Sequence, residues 1–238
     1  MDFYDYVEPS VVDEAVRAGL ISKIERVLGP RSGPLKAPCT IQCFGSFPAK
    51  MYLPTADMDL VLVSDQHLKG GRSLVPNDIR AVKSVLFETR NRLEKAGIAS
   101  NALVIWRAKV PLVKFVDRES KIKVDLSFEN LTGLVAQDTF RKWTSEMPHM
   151  FPMVALIKQF LVMRGLSDVH TGGIGGFSII CLVYTYLRAN EPRDSRDEIV
   201  NLAKVFMGFL DFWGNKFDMA TQRIQMCSDG PQIVPKVR

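Results

Sequence analysis

The order of hydrophobic and polar positions divides the chain into three parts. Residues 10–28 repeat apolar side chains at helical spacing after Ser10, a typical N-cap, and the glycine- and proline-rich segment 29–38 ends this helix. From residue 39 to residue 128 the apolar spacing changes to two, which is the period of a strand. We predict one long helix at residues 76–95 and strands at residues 39–44, 57–64, 101–106, 110–116 and 121–128.

Helical spacing returns after residue 131. It predicts helices at residues 131–145, 149–164, 177–190 and 196–213, with no strand pattern comparable to that of the middle section. Strands followed by a run of helices are typical of an α+β protein with a separate helical region. The expected fold is therefore a mixed sheet with flanking helices beside a helical domain.

Composition and charge narrow the class of protein. Apolar residues make up 47% of the 238 positions, enough for a sizeable core, but apolar stretches such as MVALIKQFLVM are shorter than the roughly 18 residues of a membrane span. The acidic amino terminus lacks the apolar core of a secretion signal, and the four cysteines show no zinc or disulfide framework, which favours a reducing compartment. The net charge of +5 is mild support for a polyanionic partner, although many metabolic enzymes are equally basic.

Two aspartates stand at the start of an apolar strand, in TADMDLVLV. In an extended segment alternate residues share a face, so Asp57 and Asp59 point the same way. Two like charges about 4 Å apart repel by roughly 4 kcal/mol at an effective dielectric near 20, and a divalent cation removes this repulsion. Oxygen ligands select a hard cation, most plausibly Mg²⁺. For an isolated D-x-D pair the alternative is two solvated aspartates at a strand end.

A phosphate site is expected shortly before this pair. The segment FGSF ends a strand and predicts a short helix with Ser46 as its cap and Pro48 in its first turn. Backbone N–H groups at a helix start and the Ser46 hydroxyl suit phosphate oxygens, and Gly45 allows the backbone to come close to them.

A third carboxylate lies on a later strand, in KIKVDLSFEN. Asp125 lies on the polar face of that strand, opposite Val124 and Leu126. If this strand neighbours the strand of Asp57 and Asp59, the three aspartates form a set that can hold two metal ions, with Asp125 as a ligand and acceptor of the hydroxyl proton. Taken alone, Asp125 also fits an exposed strand position beside two lysines.

These elements together resemble a known family. A GS pair, ten residues, the sequence DMD and a third aspartate on a later strand are similar to the signature of DNA polymerase β-like nucleotidyltransferases. Within that superfamily, VPLVKFVDRESKIKVDLSFEN, LIKQFLVMRGLSDVHTGGIGGFSIICLVYTYL and CSDG resemble the noncanonical nuclear poly(A) polymerases of the TRAMP complex, the fungal ones in particular. The resemblance extends from about residue 3 to residue 236.

The resemblance implies a palm-like catalytic domain at residues 37–132 and a helical central domain at residues 133–238, against which an N-terminal segment, residues 1–36, packs. It implies metal binding by Asp57, Asp59 and Asp125 and triphosphate binding by Gly45 and Ser46. It further implies a nucleotide site formed by residues that are far apart in the sequence: Glu129 and Asn130 near the ribose, Lys158 at the triphosphate, and Gly176 with Phe177 at the base. Phe177 departs from the tyrosine of many relatives but keeps a stacking face.

Without the family, the residues of the helical region have simpler interpretations. The glycines of TGGIGGF follow a helix rather than a strand, so they predict a tight connection between helices and not a dinucleotide fingerprint. Phe177 alone would fit a core position, and Lys158 a solvated helix flank. The family normally continues past the end of this sequence with an asparagine-rich recognition loop and a closing helix, so the helical domain is expected to be incomplete.

The leading hypothesis is a template-independent RNA 3′-adenylyltransferase that uses ATP with Mg²⁺ or Mn²⁺ and marks nuclear RNAs for the exosome. By resemblance, its partners are RNA 3′ ends, a zinc-knuckle RNA-binding subunit and an RNA helicase, and its location is the nucleus, including the nucleolus. Two alternatives remain open: a terminal uridylyltransferase, and a truncated, non-catalytic scaffold that binds RNA-decay partners.

Overall fold

The structure, a computed structural model, describes residues 2–75, 78–190, 201–227 and 230–236. The chain forms two compact units. Residues 8–140 make up the first, here called the sheet unit, and residues 141–238 with the first seven residues make up the second, the helical unit. Within the described ranges, no helix combines the length and the apolar character that a membrane crossing requires.

The sheet unit contains one mixed, five-stranded sheet. Its strands are β1 (Cys39–Phe44), β2 (Met58–Ser64), β3 (Ala99–Ile105), β4 (Leu112–Asp117) and β5 (Lys123–Phe128). They lie in the order β1-β2-β5-β4-β3, and the pair β2–β5 is parallel while the other three pairs are antiparallel. The mixed sheet predicted from the sequence is therefore confirmed, with strand ends shifted by one or two residues.

Two long helices, α2 (Val11–Leu28) and α4 (Ile79–Lys95), cover one face of this sheet. A short α3 (Asp65–Leu68) follows β2, and α5 (Thr132–Glu146) follows β5 and begins on the opposite face, where Gly133 packs on Phe44. Ser10 caps α2 as predicted, in a reciprocal capping box with Asp13. The predicted helix 76–95 begins at Ile79, and residues 76 and 77 lie outside the described residues.

The core of the sheet unit shows where the N-terminal helix belongs. Leu20 and Ile24 of α2 are buried in the same hydrophobic cluster as alternate residues of β2, such as Leu60. This differs from the expected boundary, in which residues 1–36 pack with the helical domain; only the first seven residues group with the helical unit. The physical reason is burial: the apolar stripe of α2 is covered by the sheet, and its loss to water would cost about 1.5–3 kcal/mol for each large side chain.

The helical unit contains the end of α5, α6 (Met150–Met163), α7 (Gly176–Asn190), α8 (Leu202–Asp211) and the N-terminal α1 (Asp2–Val7). A short 3₁₀ turn, Val169–Thr171, precedes α7, and a π-helical turn, Phe212–Lys216, follows α8. Trp143 stacks on Tyr184 with ring centroids 4.1 Å apart and planes 7° apart, and the Tyr184 hydroxyl donates to Glu146 over 2.8 Å. These contacts join α5 to α7.

Two expectations fail in detail. The helical unit ends in a two-stranded antiparallel pair, β6 (Gln222–Cys227) and β7 (Gly230–Pro235), in a region where the sequence predicted no comparable strand. Residues 45–50 form successive turns instead of the short helix expected after Ser46. The first residues of the predicted helix 196–213, residues 196–200, lie outside the described residues, and the described helix begins at Leu202.

Candidate active site

One row of side chains crosses all five strands of the sheet at a single register. Asp59 on β2 is paired with Asp125 on β5, Asp125 with Lys114 on β4, and Lys114 with Leu103 on β3. On the other side Asp59 is paired with Phe44, the last residue of β1. Because paired residues of neighbouring strands project from the same face, the two aspartates lie side by side on one face of the sheet.

The two ends of this row differ in exposure. At the β1 end, a methyl group on Gly133 of α5 would lie 2.3 Å from the Phe44 ring, so α5 packs closely over that position. At the β3 end, Leu103 is 63% exposed. Within the sheet unit the row is therefore covered beside the end of β1 and open to solvent beside β3.

Asp57 precedes β2 and is exposed, two residues before the half-buried Asp59. Partial burial raises the pKa of the Asp57 carboxyl; Lys123 opposes this rise, and the negative charge of Asp125 adds to it. The third aspartate therefore acts on Asp57 electrostatically across the strand pair, as expected for carboxylates that share a site.

Gly45 lies directly against the Asp59 carboxylate. Its φ is +79°, in the left-handed region, and a methyl group on its Cα would stand 2.6 Å from Asp59 Oδ2. Any larger residue would clash with that oxygen and would also be strained at this φ. From the sequence, Gly45 was expected to let the backbone come close to a phosphate. In the structure, the backbone at Gly45 lies close to the Asp59 carboxylate.

Ser46 lies in a turn and is half-buried. Its carbonyl accepts from the backbone N–H of Met51 over 3.0 Å, and the side chain of Gln137 on α5 donates to the Gly45 carbonyl over 3.1 Å. The helix start that was to supply aligned N–H groups is absent from residues 45–50. A phosphate site here would use the turn and the Ser46 hydroxyl instead.

Lys114 was not among the residues predicted from the sequence. Its ammonium forms a 2.9 Å ion pair with Asp125 Oδ2, and this hydrogen bond raises the pKa of Lys114, with smaller contributions from the Asp57 and Asp59 charges. The sequence VPLVKF could have indicated this residue, because its two-residue period places Lys114 on the strand face opposite the buried Val113 and Phe115. Lys114 thus compensates part of the negative charge of the site.

The donor chemistry of the three aspartates suits a hard divalent cation, since all candidate ligands are carboxylate oxygens. In the described part of the chain, however, no three Asp, Glu, His or Cys side chains converge in an arrangement that would hold a metal ion. Asp125 faces Lys114 instead. Metal binding by Asp125 would therefore require its side chain to turn from Lys114 toward the ion.

Glu129 and Asn130 have other partners than the expected ribose. Glu129 is buried, and its carboxylate accepts from the backbone N–H groups of Ser64 (2.5 Å) and Leu74 (2.8 Å). The Asn130 side-chain oxygen accepts from the backbone N–H of Thr132 over 3.1 Å, at the start of α5. Because both Glu129 oxygens are used in this way, its side chain ties the segment after β2 to the end of β5.

The candidate residues of the helical unit lie together within that unit. The ammonium of Lys158 on α6 is 3.5 Å from the position of a Cβ built on Gly176, the first residue of α7. Phe177, the next residue, is 57% exposed, so a core position for its ring is excluded. A cation and an exposed aromatic side chain therefore both lie at the beginning of α7.

Arg17 is a second residue that the sequence interpretation missed. It is 2% exposed, and its guanidinium donates to the carbonyls of Pro54 and Ala56, immediately before Asp57. The sequence could have indicated that Arg17 is buried, because it lies three residues before Leu20 on the same face of α2.

Comparison with known proteins identifies the family. Residues 1–144 match the model described as the central palm domain of mitochondrial-like poly(A) RNA polymerase. Poly(A) RNA polymerase protein 1 of Saccharomyces cerevisiae is 32% identical over 237 residues, which are 99% of this chain and 35% of that protein. Poly(A) RNA polymerase cid14 of Schizosaccharomyces pombe is 34% identical over 220 residues, 91% of this chain and 30% of that protein.

A solved structure agrees with these relatives. The polymerase core of TRAMP, described as an RNA surveillance complex, superposes with a TM-score of 0.79 at 32% identity and covers 98% of this chain and 68% of its own. The chain spans about a third of the length of the curated relatives it matches. The resemblance inferred from the sequence is thereby confirmed, and the chain belongs to the poly(A) RNA polymerase family whose central palm domain that model describes.

Proposed function

We propose that this chain provides the catalytic palm of a template-independent RNA 3′-adenylyltransferase, which adds AMP from ATP to RNA 3′ ends. The observation that supports it most is the pairing of Asp59 with Asp125 on neighbouring parallel strands, with Gly45 against Asp59. Relatives named poly(A) RNA polymerase favour adenylate as the transferred group.

In the proposed reaction the RNA 3′ oxygen attacks the α-phosphorus of ATP. A new phosphodiester bond forms, the bond between the α-phosphorus and the α,β-bridging oxygen breaks, and pyrophosphate leaves with the electron pair of that bond. The hydroxyl proton passes to Asp125 or to water. Because little covalent chemistry is left to the protein, positioning and charge neutralisation provide most of the rate acceleration.

Each side chain has an assigned role in this proposal. Asp57, Asp59 and Asp125 hold Mg²⁺ or Mn²⁺, which when bound neutralises triphosphate charge and lowers the pKa of the attacking hydroxyl. Gly45 and Ser46 hold the β- and γ-phosphates. Lys158 contacts the triphosphate, Gly176 and Phe177 receive the base, and Asn130 lies near the ribose; Glu129 acts through the backbone that it holds.

The proposed setting is nuclear RNA surveillance. The solved TRAMP polymerase core, described as part of an RNA surveillance complex, supports an RNA substrate and complex partners. We propose location in the nucleus, including the nucleolus, with a zinc-knuckle RNA-binding subunit and an RNA helicase as partners and the exosome as the recipient of the tailed RNA.

A primer-extension assay tests the reaction. The purified chain, alone and with the candidate RNA-binding subunit, is incubated with a labelled oligoadenylate, Mg²⁺ or Mn²⁺, and each nucleoside triphosphate in turn. Extension with ATP is expected, and the double variant Asp57→Ala, Asp59→Ala should abolish it. A matched control, Asp2→Ala with Asp5→Ala, removes two exposed aspartates of α1 and should leave extension unchanged.

The alternatives have distinct outcomes in the same assay. Extension with UTP in preference to ATP would replace adenylate by uridylate transfer. Wild-type protein that binds RNA-decay partners but extends no primer with any nucleotide would support the scaffold, and extension by the Asp57, Asp59 double variant would overturn the proposed mechanism.

A further inference from the structure

The connection between β1 and β2 carries three of the proposed phosphate and metal residues. It comprises residues 45–57, here called the GS–DMD loop, and contains Gly45, Ser46 and Asp57 but no helix or strand. If these residues act together, the distance from Ser46 to Asp57 must be kept by contacts from outside the loop. A loop with only turns of its own would otherwise sample many conformations.

Arg17 makes such contacts from the neighbouring helix. It lies on the buried face of α2, and its Nη2 donates to the carbonyl of Pro54 over 3.2 Å and to that of Ala56 over 3.0 Å. The peptide bond after Ala56 leads directly into Asp57. One nitrogen therefore fixes the backbone on the amino-terminal side of the first aspartate of the DMD sequence.

The same guanidinium also packs on the middle of the loop. Its carbon lies 4.6 Å from the ring centroid of Tyr52 and 5.7 Å from that of Phe47, and these two rings meet edge to face at 5.4 Å. A buried cation held over aromatic faces orders both rings. A second tie, the ion pair of Lys50 with Glu14 of α2 at 3.0 Å, lies at the surface.

A contribution to the stability of the fold does not by itself explain why an arginine is buried at position 17. Its Nη1 and the Tyr52 hydroxyl are buried without a hydrogen-bond partner among the described residues. Buried charges can often be replaced by apolar side chains of similar volume without loss of stability. What an apolar residue could not supply is the pair of hydrogen bonds to the two loop carbonyls.

We propose that Arg17 is a positioning residue that fixes the GS–DMD loop and thereby places Asp57 relative to Gly45 and Ser46. The inference rests on the proposed function for the roles of those three residues. In this proposal Arg17 contacts only the loop of its own chain and touches neither the substrate nor the reacting atoms.

Hydrogen exchange of the metal-free protein is the first test. Three backbone N–H groups report on the loop, because those of Lys50, Met51 and Ala56 donate to loop carbonyls. In Arg17→Met these amides should exchange about tenfold faster, as expected for the local loss of such contacts. The matched control Arg26→Met, on an exposed position of the same helix, should leave them unchanged.

The reading of this test does not depend on catalysis. The expected result is faster exchange in residues 45–57 with unchanged exchange in β4 and β5, which shows that the variant remains folded. Unchanged loop exchange in Arg17→Met overturns the proposal. Global loss of protection would indicate that Arg17 supports the whole unit rather than the loop, which also contradicts a positioning role. The conservative variant Arg17→Lys, which keeps a cationic donor, should exchange more slowly in the loop than Arg17→Met.

Mn²⁺ binding, measured by electron paramagnetic resonance, connects the loop to the site. Arg17→Met should weaken Mn²⁺ binding about tenfold, which corresponds to about 1.4 kcal/mol, and Arg26→Met should not. Faster loop exchange with unchanged Mn²⁺ affinity would overturn the link from Arg17 to Asp57. Wild-type protein that binds no Mn²⁺ would count against the proposed function, and it would leave the exchange result for the loop standing.

Discussion

Replacing Gly45 by alanine tests the geometry of the candidate site directly. The new methyl group would stand 2.6 Å from Asp59 Oδ2, and the residue would keep a φ of +79°. Both effects act on one position, so a control must separate them. Gly97 supplies it, because its φ is +73° and no atom lies within 4 Å of the corresponding methyl position.

The two costs can be worked out separately. A left-handed conformation costs a non-glycine residue about 1–2 kcal/mol. Gly97→Ala should therefore lower the free energy of unfolding by about this amount and no more. Gly45→Ala adds overpacking against Asp59, worth about 1–3 kcal/mol, unless Asp59 rotates away from its place beside Asp125.

Chemical denaturation in urea, with and without Mn²⁺ and ATP, measures both consequences. Ligand that binds only the folded state stabilises it by about 2.7 kcal/mol at a concentration of 100 times Kd. Gly97→Ala should be stabilised by Mn²⁺ and ATP as much as the wild-type protein is. Gly45→Ala should lose at least half of this stabilisation, because displacement of Asp59 removes a proposed ligand.

Two results would contradict the expected role of the contact between Gly45 and Asp59. If Gly45→Ala costs no more than Gly97→Ala, the contact with Asp59 does not constrain position 45. If Gly45→Ala is the less stable variant but keeps the full increment from Mn²⁺ and ATP, then the place of Asp59 beside Gly45 is structural and unrelated to ligand binding.

Further predictions concern stability. Glu129→Ala should lower the free energy of unfolding in urea by about 2–4 kcal/mol, since the buried backbone N–H of Ser64 and the partly buried one of Leu74 lose their acceptor. Gly133→Ala should cost about 1–3 kcal/mol because its methyl group would meet the Phe44 ring at 2.3 Å, whereas Gly19→Ala, with no atom within 4 Å, should stabilise α2 by about 0.5–1 kcal/mol in thermal denaturation. Hydrogen bonds from Lys36 and Arg92 lower the pKa of Glu88 from its usual 4.5. The contribution of Glu88 to the free energy of unfolding is therefore fully present above pH 4.5 and is lost as the pH falls through the lowered pKa. Glu88→Gln should accordingly cost about 0.5–1 kcal/mol at neutral pH and nothing in strong acid, and an equal cost at both pH values would contradict this account.

Much of the sheet unit was predictable because its signals are local. The two-residue period placed all five strands to within two residues, and the DMD sequence marked the start of β2. The β6–β7 pair was missed because its strands, QRIQMC and GPQIVP, lack the apolar alternation of a strand packed on a core: only Gly230 and Pro231 are buried, and β7 contains two prolines. The turns at residues 45–50 were missed because a cap residue predicts a helix only when a helical stripe follows it.

Local sequence patterns were enough to name the candidate residues of the site: the charged pair Asp57 and Asp59, the small Gly45 before it, and the polar face that holds Asp125. Which of these candidates meet depends on the tertiary structure. The pairing of β2 with β5 joins residues that are 66 positions apart, and no local pattern encodes such a register. The same holds for Glu129 and Arg17, whose charged groups are turned inward to backbone atoms that become neighbours only once the sheet and its helices have packed.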